Sequence, residues 1–238
     1  LMASDSPRRA VVFDLDGTLA DTVLDLASAL NRTLAELDLP PHSAAAVRGM
    51  VGGGLGKLLD RGLAAHGASL EQKARDEALA RLVALYAANP ARLSRLYPGA
   101  ASALRALRQA GTRCGLCTNK PEPIARDLVR ALGVAGAFDC ILGGEAGFPK
   151  KPDPAGVRHV VAELGAEPAT TIMVGDSNTD LRTARAAGLA GIVLVSYGYT
   201  TTAAHALGAD LVIDSLEELP EALLALRFTP MPRELTLK

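Results

Sequence analysis

Short, uniformly apolar segments alternate with amphipathic helical patterns along most of this 238-residue chain. Strands that are apolar along their whole length and separated by helices are typical of a parallel sheet covered on both faces. The sequence therefore predicts an α/β fold built on a Rossmann-like parallel sheet. The predicted strands are Ala10–Leu15, Arg113–Thr118, Cys140–Leu142, Thr171–Gly175, Ile192–Val195 and Leu211–Ile213. The helices predicted between or after them are Ala101–Ala110, Glu122–Leu132, Ala155–Leu164, Asn178–Ala187, a weaker Thr201–Leu207 and a last one at Leu216–Leu226.

Nearly a hundred residues separate the first predicted strand from the second, and they carry no strand signal. A structureless loop of that length is uncommon inside a compact domain, and the interval shows helical patterns instead. We therefore predict a helical cap domain, residues 19–93, inserted into a core formed by residues 1–18 and 94–238. The tail after Arg227 has two prolines and little periodicity, so we expect it to be loosely held. The predicted cap helices are Thr22–Leu37, Ser43–Met50, Leu55–His66 and Leu70–Ala88.

The charge balance argues against nucleic acid and membrane surfaces as partners. Lys and Arg number 25 against 26 Asp and Glu, and aromatic residues make up only 3 %. Such a chain has neither a general basic footprint nor a platform for stacking bases. No apolar run approaches the roughly 20 residues of a spanning helix, and residues before Ala10 lack the apolar stretch of a secretory signal. We therefore expect a cytoplasmic protein with no nucleic-acid or membrane partner, and the oligomeric state stays open.

Three cysteines, Cys114, Cys117 and Cys140, form an odd and small set that suits a reducing compartment. Cys114 and Cys117 have the spacing of a redox or zinc pair. However, they fall in a predicted strand, where positions three apart point to opposite faces. We therefore predict that both are core residues.

Carboxylates follow two of the predicted strands directly. Asp14 and Asp16 come after the first strand, and Asp176 and Asp180 follow the strand at Thr171–Gly175. Ligands bind at the carboxyl ends of strands in an open α/β sheet. Carboxylates that meet there repel one another unless a cation joins them, and Mg²⁺ prefers such oxygen ligands. Other strand ends add a hydroxyl, backbone amides and an ammonium, from Thr118, Asn119 and Lys151, which together indicate a phosphoryl-transfer site.

These residues occur in an order that resembles the four motifs of the haloacid dehalogenase superfamily. The matching positions are Asp14-x-Asp16-Gly17-Thr18, Thr118, Lys151 and Gly175-Asp176-x-x-x-Asp180. Within the superfamily the chain is most similar to phosphoglycolate phosphatases, through Leu19-Ala20-Asp21-Thr22, Thr118-Asn119-Lys120-Pro121, Lys150-Lys151-Pro152-Asp153-Pro154 and Tyr197-Gly198-Tyr199.

The resemblance implies a Mg²⁺-dependent phosphomonoester hydrolase with a C1-type helical cap, and 2-phosphoglycolate as substrate. Asp14 would attack phosphorus and form an aspartyl-phosphate, and Asp16 would act as the acid and then the base. Lys151 would neutralise charge, while Thr118 and Asn119 would bind phosphate oxygens. The implied Mg²⁺ ligands are Asp14, the Asp16 carbonyl and Asp176, with Asp180 acting behind them or through water.

A glycine-rich stretch in the predicted cap, Gly52-Gly53-Gly54-Leu55-Gly56-Lys57, has two interpretations. It is not a P-loop, because Val51 and Leu58 stand where that motif needs Gly and Ser or Thr. It is either a flexible turn between helices or a loop whose amides meet an anionic leaving group. For the second case Gly53, Gly54 and the nearby Arg48 are the candidate substrate residues.

The sequence is also compatible with other functions. A sugar-phosphate mutase resembling β-phosphoglucomutase would carry a histidine where this chain has Leu26. A phosphatase for another small phosphate ester or for pyrophosphate would keep all the motifs. A phospho-accepting receiver domain is a single domain of roughly 120 residues without a helical insertion, so the length argues against it.

Overall fold

The computed structural model describes residues 8–226, which form nine α-helices and eight β-strands. Residues 1–7 and 227–238, which include the tail expected to be loosely held, lie outside the described residues. Within residues 8–226 no helix has both the length and the apolar character to cross a membrane. In chain order the elements are β1 (Arg8–Phe13), β2 (Ala20–Asp21), α1 (Val23–Ala35), α2 (Ala44–Arg48), α3 (Leu55–Ala64), α4 (Gln72–Ala87), β3 (Arg95–Leu96), α5 (Ala100–Gln109), β4 (Arg113–Pro121), α6 (Glu122–Ala131), β5 (Cys140–Gly144), α7 (Ala155–Glu163), β6 (Ala166–Gly175), α8 (Asn178–Ala187), β7 (Gly191–Val195), β8 (Leu211–Ile213) and α9 (Leu219–Ala225).

Six strands form one parallel sheet in the order β5-β4-β1-β6-β7-β8, which confirms the predicted fold class. β1 lies between β4 and β6, and its Phe13 pairs with Leu116 on one side and Val174 on the other. The carboxyl ends of these three strands therefore meet at one edge of the sheet, as expected of parallel neighbours.

The two faces of the sheet are buried in separate apolar clusters. Val11 and Phe13 belong to the cluster with α5 and α6, and Ala10 and Val12 belong to the one with α7 and α8. Cys114 lies in the first cluster and Cys117 in the second, so the prediction that both are core residues is confirmed. Burial raises the pKa of each thiol to about 12, which leaves both inert.

Helices α1–α4, which we call the helical insert, surround an apolar cluster of their own. Its largest fully buried side chains include Leu30, Leu34, Leu59, Leu82 and Tyr86. Sequence reasoning missed a short antiparallel ladder in which Ala20 pairs with Leu96 and Asp21 with Arg95. Two-residue strands are too short to leave a periodic signal. This ladder, β2 with β3, joins the two ends of the helical insert.

One predicted helix is wrong and one is shorter than expected. The weak pattern at Thr201–Leu207 forms a single 3₁₀ turn at Ala204–Ala206. A run of three threonines, Thr200–Thr202, overlaps the start of that segment, and Thr is a poor helix former because its χ1 is restricted. The helix predicted at Leu216–Leu226 starts with a 3₁₀ turn at Leu216–Glu218, and α9 follows it.

Asp25, on the first turn of α1, ties the helical insert to the chain that returns to the sheet. Its carboxylate accepts hydrogen bonds from the backbone N–H groups of Leu93 (2.9 Å) and Ser94 (2.7 Å) and from the Ser94 hydroxyl (2.7 Å). The carboxylate is buried, so these donors replace the hydrogen bonds that water would otherwise provide.

We expect Asp25→Ala to lower the free energy of unfolding by about 2–4 kcal/mol, because two N–H groups and a hydroxyl lose a charged acceptor. Urea denaturation measures the loss. Asp127→Ala is the control, since Asp127 pairs with Arg130 on an exposed helix face and such pairs contribute about 0–1 kcal/mol. Equal losses in the two variants would contradict this role of Asp25.

Candidate active site

The turn after β1 brings Asp14 and Asp16 to the carboxyl edge of the sheet. Asp14 donates its backbone N–H to the Val174 carbonyl at 2.9 Å, which extends the β1–β6 pairing by one residue. Gly17 follows with a φ of 82°, and a Cβ there would lie 2.4 Å from Oδ2 of Asp176. Only glycine fits this approach, so the loop after β1 presses directly against the loop after β6.

Asp14, Asp176 and Asp180 form an acidic cluster whose nearest oxygens all lie within 4.8 Å of one another. Burial, together with the charges of Asp180 and Asp16, raises the pKa of Asp14 to about 6, although Lys151 opposes the rise. Burial and the charges of Asp180 and Asp14 also hold the pKa of Asp176 well above its ordinary value. The sequence expectation that the two acidic motifs converge is therefore correct in position.

Lys151 lies inside this cluster. Its Nζ is 2.9 Å from Oδ1 of Asp14 and donates to Oδ1 of Asp180 at 2.7 Å. Burial alone would lower the pKa of Lys151, but these two carboxylates raise it above its ordinary value. The ammonium therefore stays charged next to Asp14.

Asp180 holds two parts of the site together. Its Oδ1 accepts the Lys151 ammonium, and its Oδ2 accepts the Ser177 hydroxyl at 2.7 Å and the backbone N–H groups of Ser177 (3.2 Å) and Asp176 (3.3 Å). Asp180 stands in the first turn of α8, where a carboxylate commonly receives such N–H groups. It thus supports the loop that carries Asp176.

Thr118 and Asn119 both lie at the end of β4 and line the cavity described below. The Asn119 side chain binds the backbone of Lys151 in both directions, with Nδ2 donating to the carbonyl at 3.0 Å and Oδ1 accepting the N–H at 2.8 Å. Its carboxamide therefore positions the loop of Lys151.

The Asp16 carboxylate has two partners. Oδ1 accepts the Thr22 hydroxyl at 2.6 Å, and Lys120 Nζ donates to Oδ1 at 2.7 Å and to Oδ2 at 3.0 Å. The same Nζ donates to the hydroxyl of Tyr86 at 2.7 Å. Sequence reasoning quoted Lys120 in a motif without giving it a role. The available signal was its position, two residues after Thr118 at a strand end.

Tyr199 connects the acidic cluster with the helical insert, and sequence reasoning quoted it in a motif without giving it a role. Its backbone N–H donates to Oδ2 of Asp176 at 2.6 Å. Its hydroxyl accepts the N–H groups of Thr22 (2.6 Å) and Val23 (3.1 Å) and donates to Oδ1 of Asp21 at 2.7 Å. Because α1 begins at Val23, Tyr199 satisfies N–H groups that the helix start leaves free.

A cavity of about 340 Å³ lies between this edge of the sheet and the helical insert. Gly53 and Gly54 line it, as expected for a substrate loop, and each has a positive φ. Arg48 does not fit the expectation for that loop. Its guanidinium pairs with Asp21 at 3.0 Å and lies 4.8 Å from the Tyr199 ring centre, outside the cavity lining. Among the described lining residues, the cationic side chains are Lys57, Arg61, Lys120 and Lys151.

The acidic cluster has the chemistry that a divalent cation requires. The carboxylates at this edge of the sheet are Asp14, Asp16, Asp176 and Asp180, and the ammonium groups among them are Lys120 and Lys151. The carboxylates exceed the ammonium groups by two formal charges. An oxygen-only donor set with this excess fits Mg²⁺.

We expect Asp14→Asn to raise the free energy of unfolding in EDTA at pH 8 by on the order of 1–3 kcal/mol. With its pKa near 6, Asp14 binds a proton in the native state at a pH where the unfolded chain has released it. The wild-type protein therefore loses stability as pH rises towards 7, and the advantage of Asn shrinks as pH falls below 6. Urea denaturation across this range measures it, with Asp127→Asn as an exposed control. A variant no more stable than wild type at pH 8 would contradict the expected repulsion.

Comparisons with known proteins agree with this geometry. The family model for haloacid dehalogenase-like hydrolases matches residues 8–188. A phosphoglycolate phosphatase from Rhodospirillum rubrum is 46 % identical over 215 residues, which is 89 % of this chain and 89 % of that protein.

Two solved structures are similar along almost their whole length. One is described as a predicted phosphoglycolate phosphatase from Haemophilus somnus, with a TM-score of 0.84 and 28 % identity over 92 % of this chain and 99 % of that one. The other is a CbbY mutant from Rhodobacter sphaeroides in complex with xylulose 1,5-bisphosphate, with a TM-score of 0.70 and 30 % identity over 89 % of this chain and 96 % of that one. Because the family model covers all the motifs at the sheet edge, this chain belongs to the haloacid dehalogenase-like hydrolases.

Proposed function

We propose that this protein is a Mg²⁺-dependent phosphatase that hydrolyses 2-phosphoglycolate through an aspartyl-phosphate. The observation that carries the proposal is the base of the cavity, where Asp14, Asp16 and Lys151 lie side by side at the sheet edge. A nucleophile, an acid and a cation at one point are the groups that phosphoryl transfer to a carboxylate needs.

Asp14 is the proposed nucleophile. One oxygen of its carboxylate is 2.9 Å from Lys151 Nζ, which leaves the other to attack phosphorus. Lys151 neutralises charge on Asp14 and on the phosphoryl group, while the Thr118 hydroxyl and the Asn119 backbone N–H hold phosphoryl oxygens. Asp14, the Asp16 carbonyl and Asp176 would hold Mg²⁺, which would supply further neutralisation of charge on those oxygens.

Asp16 is the proposed acid and base. It gives a proton to the ester oxygen as the P–O bond breaks, because an alkoxide is a poor leaving group. The resulting carboxylate then accepts a proton from the water that attacks the aspartyl-phosphate. Thr22 and Lys120 fix the orientation of this carboxylate for both steps. Asp180 holds Lys151 and the Asp176 loop in place.

Residues 19–93 are the proposed cap domain. They cover the cavity from the side opposite the sheet edge, and excluding water there strengthens each charge interaction during the transfer. The glycine loop at Gly52–Gly54 presents backbone groups to the cavity. Lys57 lines the cavity as well. Arg61 instead donates from Nη1 to the carbonyls of Met50, Val51 and Gly52 at 2.7–3.2 Å.

The alternatives differ in the substrate that the cavity accepts. A mutase needs a base near the sugar, but Leu26 lines the cavity at the corresponding position and none of the described histidines does. A sugar bisphosphatase is supported by the CbbY structure, which carries xylulose 1,5-bisphosphate. The phosphoglycolate phosphatase relatives are more similar in sequence and favour the smaller ester.

We expect wild-type protein to release phosphate from 2-phosphoglycolate with a higher kcat/KM than from hexose phosphates, xylulose 1,5-bisphosphate, nucleotides or pyrophosphate. Asp14→Asn loses about 10³-fold or more, because the nucleophile is gone. A sugar phosphate that ranks far above 2-phosphoglycolate would contradict the substrate, and an Asp14→Asn enzyme with full turnover would contradict the mechanism.

Mg²⁺ is expected to stabilise the folded protein, since it relieves the repulsion in the acidic cluster. At free Mg²⁺ about 100-fold above its Kd, the thermal midpoint should rise by about 5–10 °C. Asp176→Asn should abolish most of that rise, whereas the exposed Asp127→Asn should retain it. Differential scanning fluorimetry in EDTA and in Mg²⁺ measures both. An equal rise in all three proteins would place the ion elsewhere.

A further inference from the structure

Lys120 is a buried ammonium that the phosphoryl-transfer steps do not consume. It belongs to the last residues of β4, its side chain is 1 % exposed, and it lines the cavity. Asp16 lies at 2.7 Å and the Tyr86 hydroxyl at 2.7 Å, with the Tyr86 ring centre 4.5 Å away. The Lys120 side chain thus contacts both the proposed acid and the helical insert, and it also lines the cavity.

Keeping a charge at this depth is costly, because burial favours the neutral amine. Burial alone would lower the pKa of Lys120, but Asp16 and Tyr86 raise it above its ordinary value. A tie between the helical insert and the sheet edge needs no charge, since apolar side chains of similar volume often serve better. Pairing with Asp16 accounts for the charge, and the same ammonium also lines the cavity.

The other cations around the cavity are engaged differently. Lys151 is held between Asp14 and Asp180, where the phosphoryl group reacts. Arg61 directs Nη1 to carbonyls of the glycine loop. Lys57 is exposed on the first turn of α3, on the helical insert. Among the lining residues of the described chain, Lys120 is the buried cation beside Asp16 and away from the acidic cluster.

The proposed substrate carries a second anion, its carboxylate, close to the ester oxygen that Asp16 protonates. In 2-phosphoglycolate the carboxylate is separated from the ester oxygen by one CH₂, so its oxygens lie about 3 Å from that ester oxygen. Asp16 must approach the same ester oxygen to about 2.6–3.2 Å to protonate it. A cation 2.7–3.0 Å from the Asp16 oxygens is therefore within reach of the substrate carboxylate.

We propose that Lys120 binds the carboxylate of the substrate and selects phosphate esters that carry a carboxylate next to the ester carbon. This inference rests on the proposed function and adds the group that recognises the leaving half of the substrate. The N–H now directed at Oδ2 of Asp16, the longer of the two contacts, turns to the substrate carboxylate. Tyr86 keeps the ammonium in place during that exchange.

The test compares 2-phosphoglycolate with its carboxyl methyl ester, which has the same phosphate and skeleton without the second anion. In wild-type protein the ratio of the two kcat/KM values should favour 2-phosphoglycolate. In Lys120→Met both kcat/KM values fall, because Asp16 loses its partner. The ratio of 2-phosphoglycolate to methyl ester also falls, by about 10- to 100-fold, as expected for the loss of one charged hydrogen bond. Lys73→Met, an exposed lysine on α4, should keep the wild-type ratio.

Tyr86→Phe keeps the ring and the ammonium and serves if Lys120→Met does not fold. Its ratio should fall by about 2- to 10-fold, the effect of one neutral hydrogen bond. An unchanged ratio in a folded Lys120→Met, or in Tyr86→Phe if the former is unfolded, would overturn the inference while leaving the phosphatase intact. A ratio that collapses in Lys57→Met instead would assign the carboxylate to the helical insert and also overturn it. Wild-type protein that hydrolyses neither ester overturns the proposed function itself.

Discussion

Four carboxylates face two ammonium groups at the carboxyl edge of the sheet, and this imbalance governs the arrangement around the cavity. Each carboxylate is retained by contacts that a water-exposed Asp would not need. Asp180 is saturated by Lys151 and by the start of α8, and Asp16 is held by Thr22 and Lys120. Asp14 and Asp176 are left with raised pKa values. Strain of this electrostatic kind is typical of sites that are organised for a cation and an anionic reactant rather than for stability.

The sheet edge and the helical insert are connected through a short hydrogen-bonded path. Asp176 accepts the backbone N–H of Tyr199, whose hydroxyl receives the N–H of Thr22, and the Thr22 hydroxyl donates to Asp16. A change in the position of α1 therefore acts on the Asp16 carboxylate and on the loop of Asp176 through three contacts. Lys120 and Tyr86 form a second connection from α4 to the same carboxylate.

The alternation of strands and helices was predictable from sequence, because each buried strand is apolar throughout. The acidic residues of the site were predictable too, because they directly follow β1 and β6, whose neighbouring ends the parallel fold brings together. Local patterns did not reveal the partners that come from far along the chain. Tyr199 is 177 residues from Thr22, Lys120 is 104 from Asp16, and Asp25 is 69 from Ser94. Arg48 has the charge expected of an anion-binding residue, but only the fold shows that its guanidinium already pairs with Asp21.

The β2–β3 ladder has a consequence for how such a chain can vary. β1 and β4 are neighbours in the sheet, although the whole helical insert lies between them in sequence. The entropy of closing a flexible connection grows by only about 0.6 kcal/mol for each doubling of its length. The ladder and the Asp25 contacts join the two ends of the helical insert. The effective connection between β1 and β4 is therefore only a few residues long. Helices above the ladder can therefore be lengthened, shortened or exchanged while the register of the sheet is preserved, so the side of the cavity formed by the helical insert and the side formed by the sheet edge can evolve at different rates.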